Sequence, residues 1–430
     1  MEHIVIVGNG IAGVTAARHL RKNSDHKITI ISAESDYFFS RTALMYVYMG
    51  HMRWKDLKPY EDKFWSKNRI ELINAYVEKV ETTNQSLILV DGTSINYDKL
   101  ILATGSVPAK YGWEGQDLNG VQGLVSKQDL EQLEKTAPNN EICPKAVIVG
   151  GGLIGVEMAE MLHTRKIEVT VLVREHAFWS GVLPDGEAKM ISRHILSHGI
   201  DLRHQEELDK ILDDGKGNVR AILTKKGREI PCNLVGITTG VRPKIDFLEN
   251  SNIETDKGIL VNRLLETNVK NVYAIGDCAQ QREAIGLRKP VEAVWYTGRM
   301  MGETVAQTIC GTPFEYKPGN WFNSAKFFDI EYQTYGWVFS NKNKKEYEEH
   351  FHWKHDNDKT CITVAYNKEN HTFLGINTFG IRMKHEVFDR WLNEQRDIDY
   401  VIDNLRLANF DPEFYRHYER DIKKAYAVRA

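Results

Sequence analysis

The sequence predicts an α/β protein with two Rossmann-like domains followed by a C-terminal α/β domain. Three observations predict it. A short apolar strand runs directly into a glycine triplet and an amphipathic helix at residues 3–20. The same plan recurs at residues 146–162. The last third of the chain lacks such a motif and alternates bulky and polar residues before its pattern turns helical.

In the first unit, His3 to Val7 is an apolar, β-branched run suited to a buried parallel strand. Gly8, Gly10 and Gly13 follow in G-x-G-x-x-G spacing, with Ile11 and Ala12 between the second and third. Gly8 suits the tight strand-to-helix turn, Gly10 leaves room for a pyrophosphate, and Gly13 lets helix and strand pack closely. Val14 to Leu20 has helical apolar spacing, and the start of that helix offers free N–H groups to phosphate. A second strand, Ile28 to Ile31, leads to Glu34, a carboxylate placed to accept hydrogen bonds from ribose hydroxyls.

The second unit repeats the plan. Ala146 to Val149 is the strand, and Gly150, Gly152 and Gly155 are the glycines, with Ile154 before the third. Val156 to Leu162 begins the helix, and Glu168 to Val173 is the second strand. Two dinucleotide sites in one chain are most economically read as one flavin and one nicotinamide, because a hydride passes between two carriers. The first site, ending on Glu34, suits FAD. The second ends on Val173 and Arg174. A carboxylate there would repel a 2′-phosphate and an arginine can hold one, which favours NADP(H) over NAD(H). Glu175 opposes this reading, because it can pair with Arg174 or contact ribose itself, and Arg174 also reads as a solvated surface residue.

Composition narrows the function classes. In 430 residues, 27% are charged with a formal net charge of −3, so nothing points to a nucleic-acid partner. No apolar stretch is long enough for a transmembrane helix, and the start of the chain lacks the features of a secretory signal, so a cytoplasmic location is expected. Cys143, Cys232, Cys278, Cys310 and Cys361 are scattered and form no C-x-x-C pair. This argues against a disulfide framework, a zinc site or an iron–sulfur cluster, and no metal is expected.

Further motifs stand in a telling order. Tyr97 to Pro108 contains Ala103-Thr104-Gly105, Gly240 opens Gly240-Val241-Arg242-Pro243, and Tyr273 to Ala279 contains Gly276-Asp277-Cys278-Ala279. Over residues 1 to about 315 the chain resembles the FAD-dependent pyridine nucleotide-disulfide oxidoreductase superfamily. It is most similar to the branch without a redox disulfide, the rubredoxin and ferredoxin reductases. The resemblance implies a glutathione reductase-like fold. Residues 1–112 and 240–316 would form a discontinuous FAD-binding domain, 113–239 an NAD(P)-binding domain, and 317–430 a C-terminal domain that often builds a homodimer interface. It implies FAD contacts at Val77, Ala103, Thr104, Gly105 and Gly276, and at Asp277 on the ribityl chain. It also implies a helix over Tyr296 to Ile309 whose N-terminus, after Val294 and Trp295, points at the flavin. Trp295 reads equally as a ring stacked near the flavin and as a core aromatic. Gly112 to Gly123 is the expected linker.

Where disulfide reductases of this superfamily place a redox cysteine, this chain has Tyr37 to Tyr46 and no cysteine. Arg41 aligns with an arginine of the ferredoxin reductase pattern and is a candidate for an FAD phosphate, although the prolines of that pattern are absent. Many relatives pair a lysine on this segment with a glutamate. Glu157 matches the glutamate, but Tyr46 stands at the lysine position and is expected either to hydrogen-bond to Glu157 or to cover the nicotinamide pocket. Glu157 and Tyr46 are therefore the catalytic candidates.

In the last third, Lys326 to Trp337, Cys361 to Tyr366 and Thr372 to Thr378 read as strands. Val387, Trp391 and Leu392 share a helical face. Phe414, Tyr415, Tyr418 and Ile422 mark a final amphipathic helix, whose basic residues Arg416, Arg420, Lys423 and Lys424 are either a solvated face or a dock for an acidic redox protein. The expected function is an FAD-dependent NAD(P)H:acceptor oxidoreductase. It would deliver electrons to an external iron–sulfur protein, quinone or small molecule without a redox-active cysteine. A redox-sensing flavoprotein, acting by nucleotide-dependent conformational change or dimerisation, is the alternative, and an NAD(P)H oxidase is a weaker third reading.

Overall fold

The computed structural model describes residues 1–410 and 416–428, so Phe414 and Tyr415 lie outside the described residues. Two compact units emerge. One comprises residues 1–109, 123–135 and 240–318, the other 110–122, 136–239 and 319–430.

The first unit is built on a parallel five-stranded sheet. Its order is Val272–Ala274, Lys99–Leu102, His3–Val7, Lys27–Ser32, Ile70–Asn74. His3–Val7 lies at the centre, and its Ile4, Val5 and Ile6 are fully buried, as an apolar run covered on both faces requires. Helix Ile11–Asn23 follows it, and helix Trp295–Ile309 packs against that helix at backbone distance. A Cβ added at Gly302 would stand 2.5 Å from the Ala12 carbonyl oxygen. Antiparallel pairing of Ser106–Pro108 with Val241–Pro243 joins the segments entering and leaving the insertion.

The second unit holds another parallel sheet, in the order Asp201–His204, Glu168–Val173, Lys145–Val149, Leu234–Ile237, Val121–Gln122. A three-stranded antiparallel sheet, Leu208–Asp213, Val219–Thr224 and Glu229–Pro231, accompanies it. A five-stranded antiparallel sheet follows, in the order Phe322–Phe327, Ile330–Gly336, Phe373–Phe379, Cys361–Asn367, Glu348–Lys354. Helix His385–Asn393 buries Val387, Phe388 and Trp391.

Three expectations change. The single strand Lys326 to Trp337 is a hairpin, reversed at Phe328 (φ 55°) and Asp329 and paired antiparallel on either side. Residues 123–135, assigned from sequence to the inserted segment, group with the first unit. Residues 319–430 share a compact unit with 136–239 instead of standing apart. The final helix is Glu419–Ala427, with Ile422 buried, and Tyr418 precedes it. Among the described residues, no helix is long and apolar enough to cross a membrane.

Candidate functional site

The two glycine triplets fold alike. Gly8 has φ +115°, and a Cβ there would stand 2.1 Å from the Ala103 carbonyl oxygen. At Gly13 a Cβ would stand 2.1 Å from the Gly8 carbonyl oxygen, whereas at Gly10 it would meet nothing within 4 Å. In the second triplet Gly150 has φ +127°, with a would-be Cβ 2.7 Å from the Thr238 carbonyl oxygen. Gly155 would place one 2.4 Å from the Gly150 carbonyl oxygen, and Gly152 again faces open space. The outer glycines are thus required by packing, and the middle one leaves a gap in front of a helix start. Gly10 and Gly152 are the N-caps of their helices, no side chain caps either end, and neither first turn has an acid. Unsatisfied N–H groups at a positive helix end beside an open glycine make a donor set that fits a pyrophosphate. Both triplets pass this test.

Around the first triplet, the Arg41 guanidinium grips Glu34 bidentately, Nη1 to Oε1 at 2.7 Å and Nη2 to Oε2 at 2.5 Å, and Nη1 also donates to the Val125 carbonyl. The Lys127 backbone N–H donates to Glu34 Oε1 at 3.0 Å. The two candidates therefore hold each other, and both bind the segment that carries helix Lys127–Thr136. Ser106 Oγ donates to Asp277 Oδ2 at 2.9 Å. Burial pushes the Asp277 carboxyl up, partly offset by Ser106 and the Arg41 charge. Gly276 (φ +72°) lies against Ala12, and Thr104 Oγ1 donates to the Lys244 carbonyl. Ile11, Ala103 and Gly105 line the same region of strand ends, while Val77 is a buried core residue. Val294 is the extended N-cap of helix Trp295–Ile309, which has neither a side-chain cap nor an acid in its first turn. Trp295 is half-buried and meets Tyr296 edge-on. Tyr46, in helix Leu44–Tyr48, stacks near His51 with ring centres 6.2 Å apart.

In the second unit, Ile154 is half-exposed in the first turn of helix Leu153–Thr164. Arg174 is exposed and donates from Nε to Glu175 Oε1 at 2.8 Å, the pairing that the sequence left open. Gly240, at the return to the first unit, has φ +123°. Glu157 is half-buried, and its carboxyl is pushed up to about 7 by burial and by Glu160, with Lys326 opposing. Lys326, from strand Phe322–Phe327, donates to Glu160 at 2.8 Å, so this cation pairs with Glu160, one turn beyond Glu157. Sequence reasoning missed Lys326, Glu160, Val125 and Lys127. Only the acidic pair three apart on one helix offered a signal.

The family model for pyridine nucleotide-disulphide oxidoreductases matches residues 2–302. The chain belongs to this family. It is 30% identical over 338 residues to an NADH oxidase of Methanocaldococcus jannaschii, covering 76% of this chain and 74% of that one. It is 29% identical over 339 residues to a ferredoxin–NAD(P)(+) reductase of a Sphingomonas species, covering 77% and 80%. Two Bacillus subtilis relatives, a nitrite reductase and an electron-transfer subunit of assimilatory nitrate reductase, are longer, and the chain spans about 40% of each. A ferredoxin reductase structure from Rhodopseudomonas palustris superposes with TM-score 0.80 at 22% identity, covering 99% of this chain and all of that one. The α/β fold with two dinucleotide units is that of the family, and the chain is a flavin-dependent NAD(P)H oxidoreductase using FAD and a nicotinamide nucleotide.

Proposed function

We propose that this oxidoreductase passes electrons from NAD(P)H through FAD to an external iron–sulfur protein, with no protein thiol as intermediary. The observation that carries this reading is the state of the cysteines. Residues 37–46 contain none, and Cys143, Cys232, Cys278 and Cys361 are buried. Burial pushes the Cys143 thiol up to about 11 and the Cys232 thiol up to about 12, and Cys278 is raised by the same cause. A thiol held protonated is a poor nucleophile and a poor redox relay. Relatives named as ferredoxin and rubredoxin reductases support the class of acceptor.

In this reading, residues 1–109, 123–135 and 240–318 serve FAD, 110–122 and 136–239 serve the nicotinamide nucleotide, and 319–430 complete the second unit. The open Gly10 and the N-terminus of helix Ile11–Asn23 hold the FAD pyrophosphate. The Glu34–Arg41 pair would close its adenosine end, Asp277 would meet the ribityl hydroxyls, and helix Trp295–Ile309 would present its N-terminus to the ring. Bound FAD supplies a carrier that accepts a hydride and releases electrons singly, which suits iron–sulfur partners. Gly152 and its helix receive the nicotinamide nucleotide. Arg174 favours the 2′-phosphate, because its Nε contact to Glu175 leaves the far edge of the fork turned to solvent. Glu157, titrating near neutrality, stores or releases a proton at its carboxylate. Tyr46 takes the place of the lysine.

Anaerobic stopped-flow mixing tests the proposal. The protein, reduced by NADPH or NADH, is mixed with ferredoxin, rubredoxin, a quinone or oxygen. Reoxidation fastest with an iron–sulfur protein is expected, together with a higher kcat/KM for NADPH that falls selectively in Arg174→Ala. Fastest reoxidation by oxygen, as the likeness to an NADH oxidase would have it, overturns the choice of acceptor, and a wild-type preference for NADH overturns the role of Arg174.

A further inference from the structure

Away from both glycine triplets, the second unit brings together two histidines and a carboxylate. Helix Asp185–Ser197 places His194 in its last turn, and His198 follows as the C-cap. Residues four apart on a helix share a face. Asp329 comes from the hairpin turn between strands Phe322–Phe327 and Ile330–Gly336. His194 Nε2 stands 2.7 Å from Asp329 Oδ1, and His198 Nε2 stands 3.8 Å from the same oxygen. One ligand atom from each residue lies within 4.8 Å of the others.

The surroundings orient these atoms. His198 Nδ1 lies 2.9 Å from the His194 carbonyl oxygen, a contact that requires the proton on Nδ1 and leaves the Nε2 lone pair facing Asp329. Phe328 stacks on the His198 ring at 4.3 Å and 24°, fixing its plane. Lys359 Nζ donates to Asp329 Oδ2 at 2.8 Å, so one carboxylate oxygen is held and the other is turned to the imidazoles. His194 is 4% exposed. Its Nε2 is buried and, despite the 2.7 Å approach, lies off the axis a hydrogen bond to Asp329 needs. The C-terminal end of a helix carries partial negative charge, which favours a cation at this place.

We propose that His194, His198 and Asp329 bind one divalent first-row transition ion of the zinc class, clamping helix Asp185–Ser197 to the Phe328–Asp329 turn. Two imidazoles and a carboxylate suit zinc, nickel, copper or ferrous iron, and do not suit calcium or magnesium. Metal–ligand bonds of about 2.0–2.2 Å place opposite ligands roughly 3.3–4 Å apart, so only small shifts of the partly exposed His198 and Asp329 close the site. Three protein ligands leave a fourth position for water. Lys359 then acts as the outer partner that orients the carboxylate.

The test uses the full-length, FAD-loaded protein stripped with a chelator and titrated with Zn²⁺ by calorimetry. His198→Gln and Asp329→Asn change partly exposed side chains, so both variants should fold, as unchanged circular dichroism and flavin content will verify. Wild type is expected to bind one Zn²⁺ at this site and to gain in thermal midpoint, with zinc X-ray absorption showing two imidazoles in a nitrogen–oxygen shell. Each variant is expected to bind at least about tenfold more weakly and to lose that gain. Wild-type Zn²⁺ affinity in either variant, or a zinc shell without paired imidazoles, overturns the site.

Discussion

Two glycines three residues apart do opposite work. Gly10 has ordinary extended dihedrals and nothing in front of it, so an alanine there costs the apoprotein little. Its methyl group would instead fill the place where a pyrophosphate approaches the backbone. Gly10→Ala is therefore expected to leave the apoprotein's thermal unfolding within about 0.5 kcal/mol of wild type and to weaken FAD binding, read by flavin fluorescence titration. Gly13→Ala pushes a methyl into the Gly8 carbonyl and is expected to lose about 1–3 kcal/mol of apoprotein stability as well as FAD. A second residue-scale prediction concerns Glu157. Because burial raises its carboxyl to about 7 and Lys326 opposes the rise, Lys326→Met should move the associated transition in the pH profile of flavin reduction to higher pH. Glu157→Gln should abolish that transition and leave the rate at its low-pH value. The glycines were legible from their spacing, and Glu157 only through the family resemblance. The grip of Arg41 on Glu34 was not, since it depends on a loop path across seven residues and on a backbone N–H supplied from residue 127.

Close helix packing explains why glycine recurs on the Trp295–Ile309 helix. Gly298 and Gly302 face Ile11–Asn23, and at Gly302 the neighbouring backbone leaves no room for a methyl group. Helices that touch at backbone distance cannot yield to a Cβ without moving apart. Gly302→Ala is expected to separate them, costing about 1–3 kcal/mol in thermal or denaturant unfolding. It should also loosen FAD, because the same pair of helices presents the N-termini proposed to hold it. Gly298→Ala should be the milder change, as its Cβ would approach neighbours no closer than 3.5 Å. Small residues near one face were visible in sequence, but the partner helix, nearly 300 residues away, was not. The hairpin at Phe328–Asp329 was hidden for a related reason. Asp329 is a lone turn-former there, and Phe328 adopts positive φ where the pattern reads as continuous strand.

At the scale of the whole chain, sequence motifs divide the second unit into a nucleotide segment and a separate tail, whereas burial joins them. Phe178 and Trp179 lie against Phe327, and Trp179 meets Tyr332 edge-on, so aromatic rings from residues 136–239 share a core with residues 319–430. A buried carboxyl sits at this junction. Glu187 has no exposed surface, accepts from Asn377 Nδ2 at 2.8 Å, and keeps its other oxygen without a hydrogen-bond partner. Burial pushes it up to about 7, with Thr363 and Asn377 opposing, from an ordinary value of 4.5. An acid whose folded pKa lies above its unfolded one favours folding below the unfolded value, and that contribution drains away as pH rises through the folded value. The second unit should therefore lose on the order of 1–3 kcal/mol between pH 4.5 and somewhat above 7 through this group alone. Glu187→Gln cannot ionise, and its unfolding free energy should stay flatter across that window, so that variant and wild type diverge most above pH 7. Denaturant unfolding at pH 5, 6, 7 and 8, followed by tryptophan fluorescence, gives the comparison. Parallel curves for the two proteins would mean that water or a side-chain rearrangement relieves Glu187, and that the junction carries no buried titrating charge.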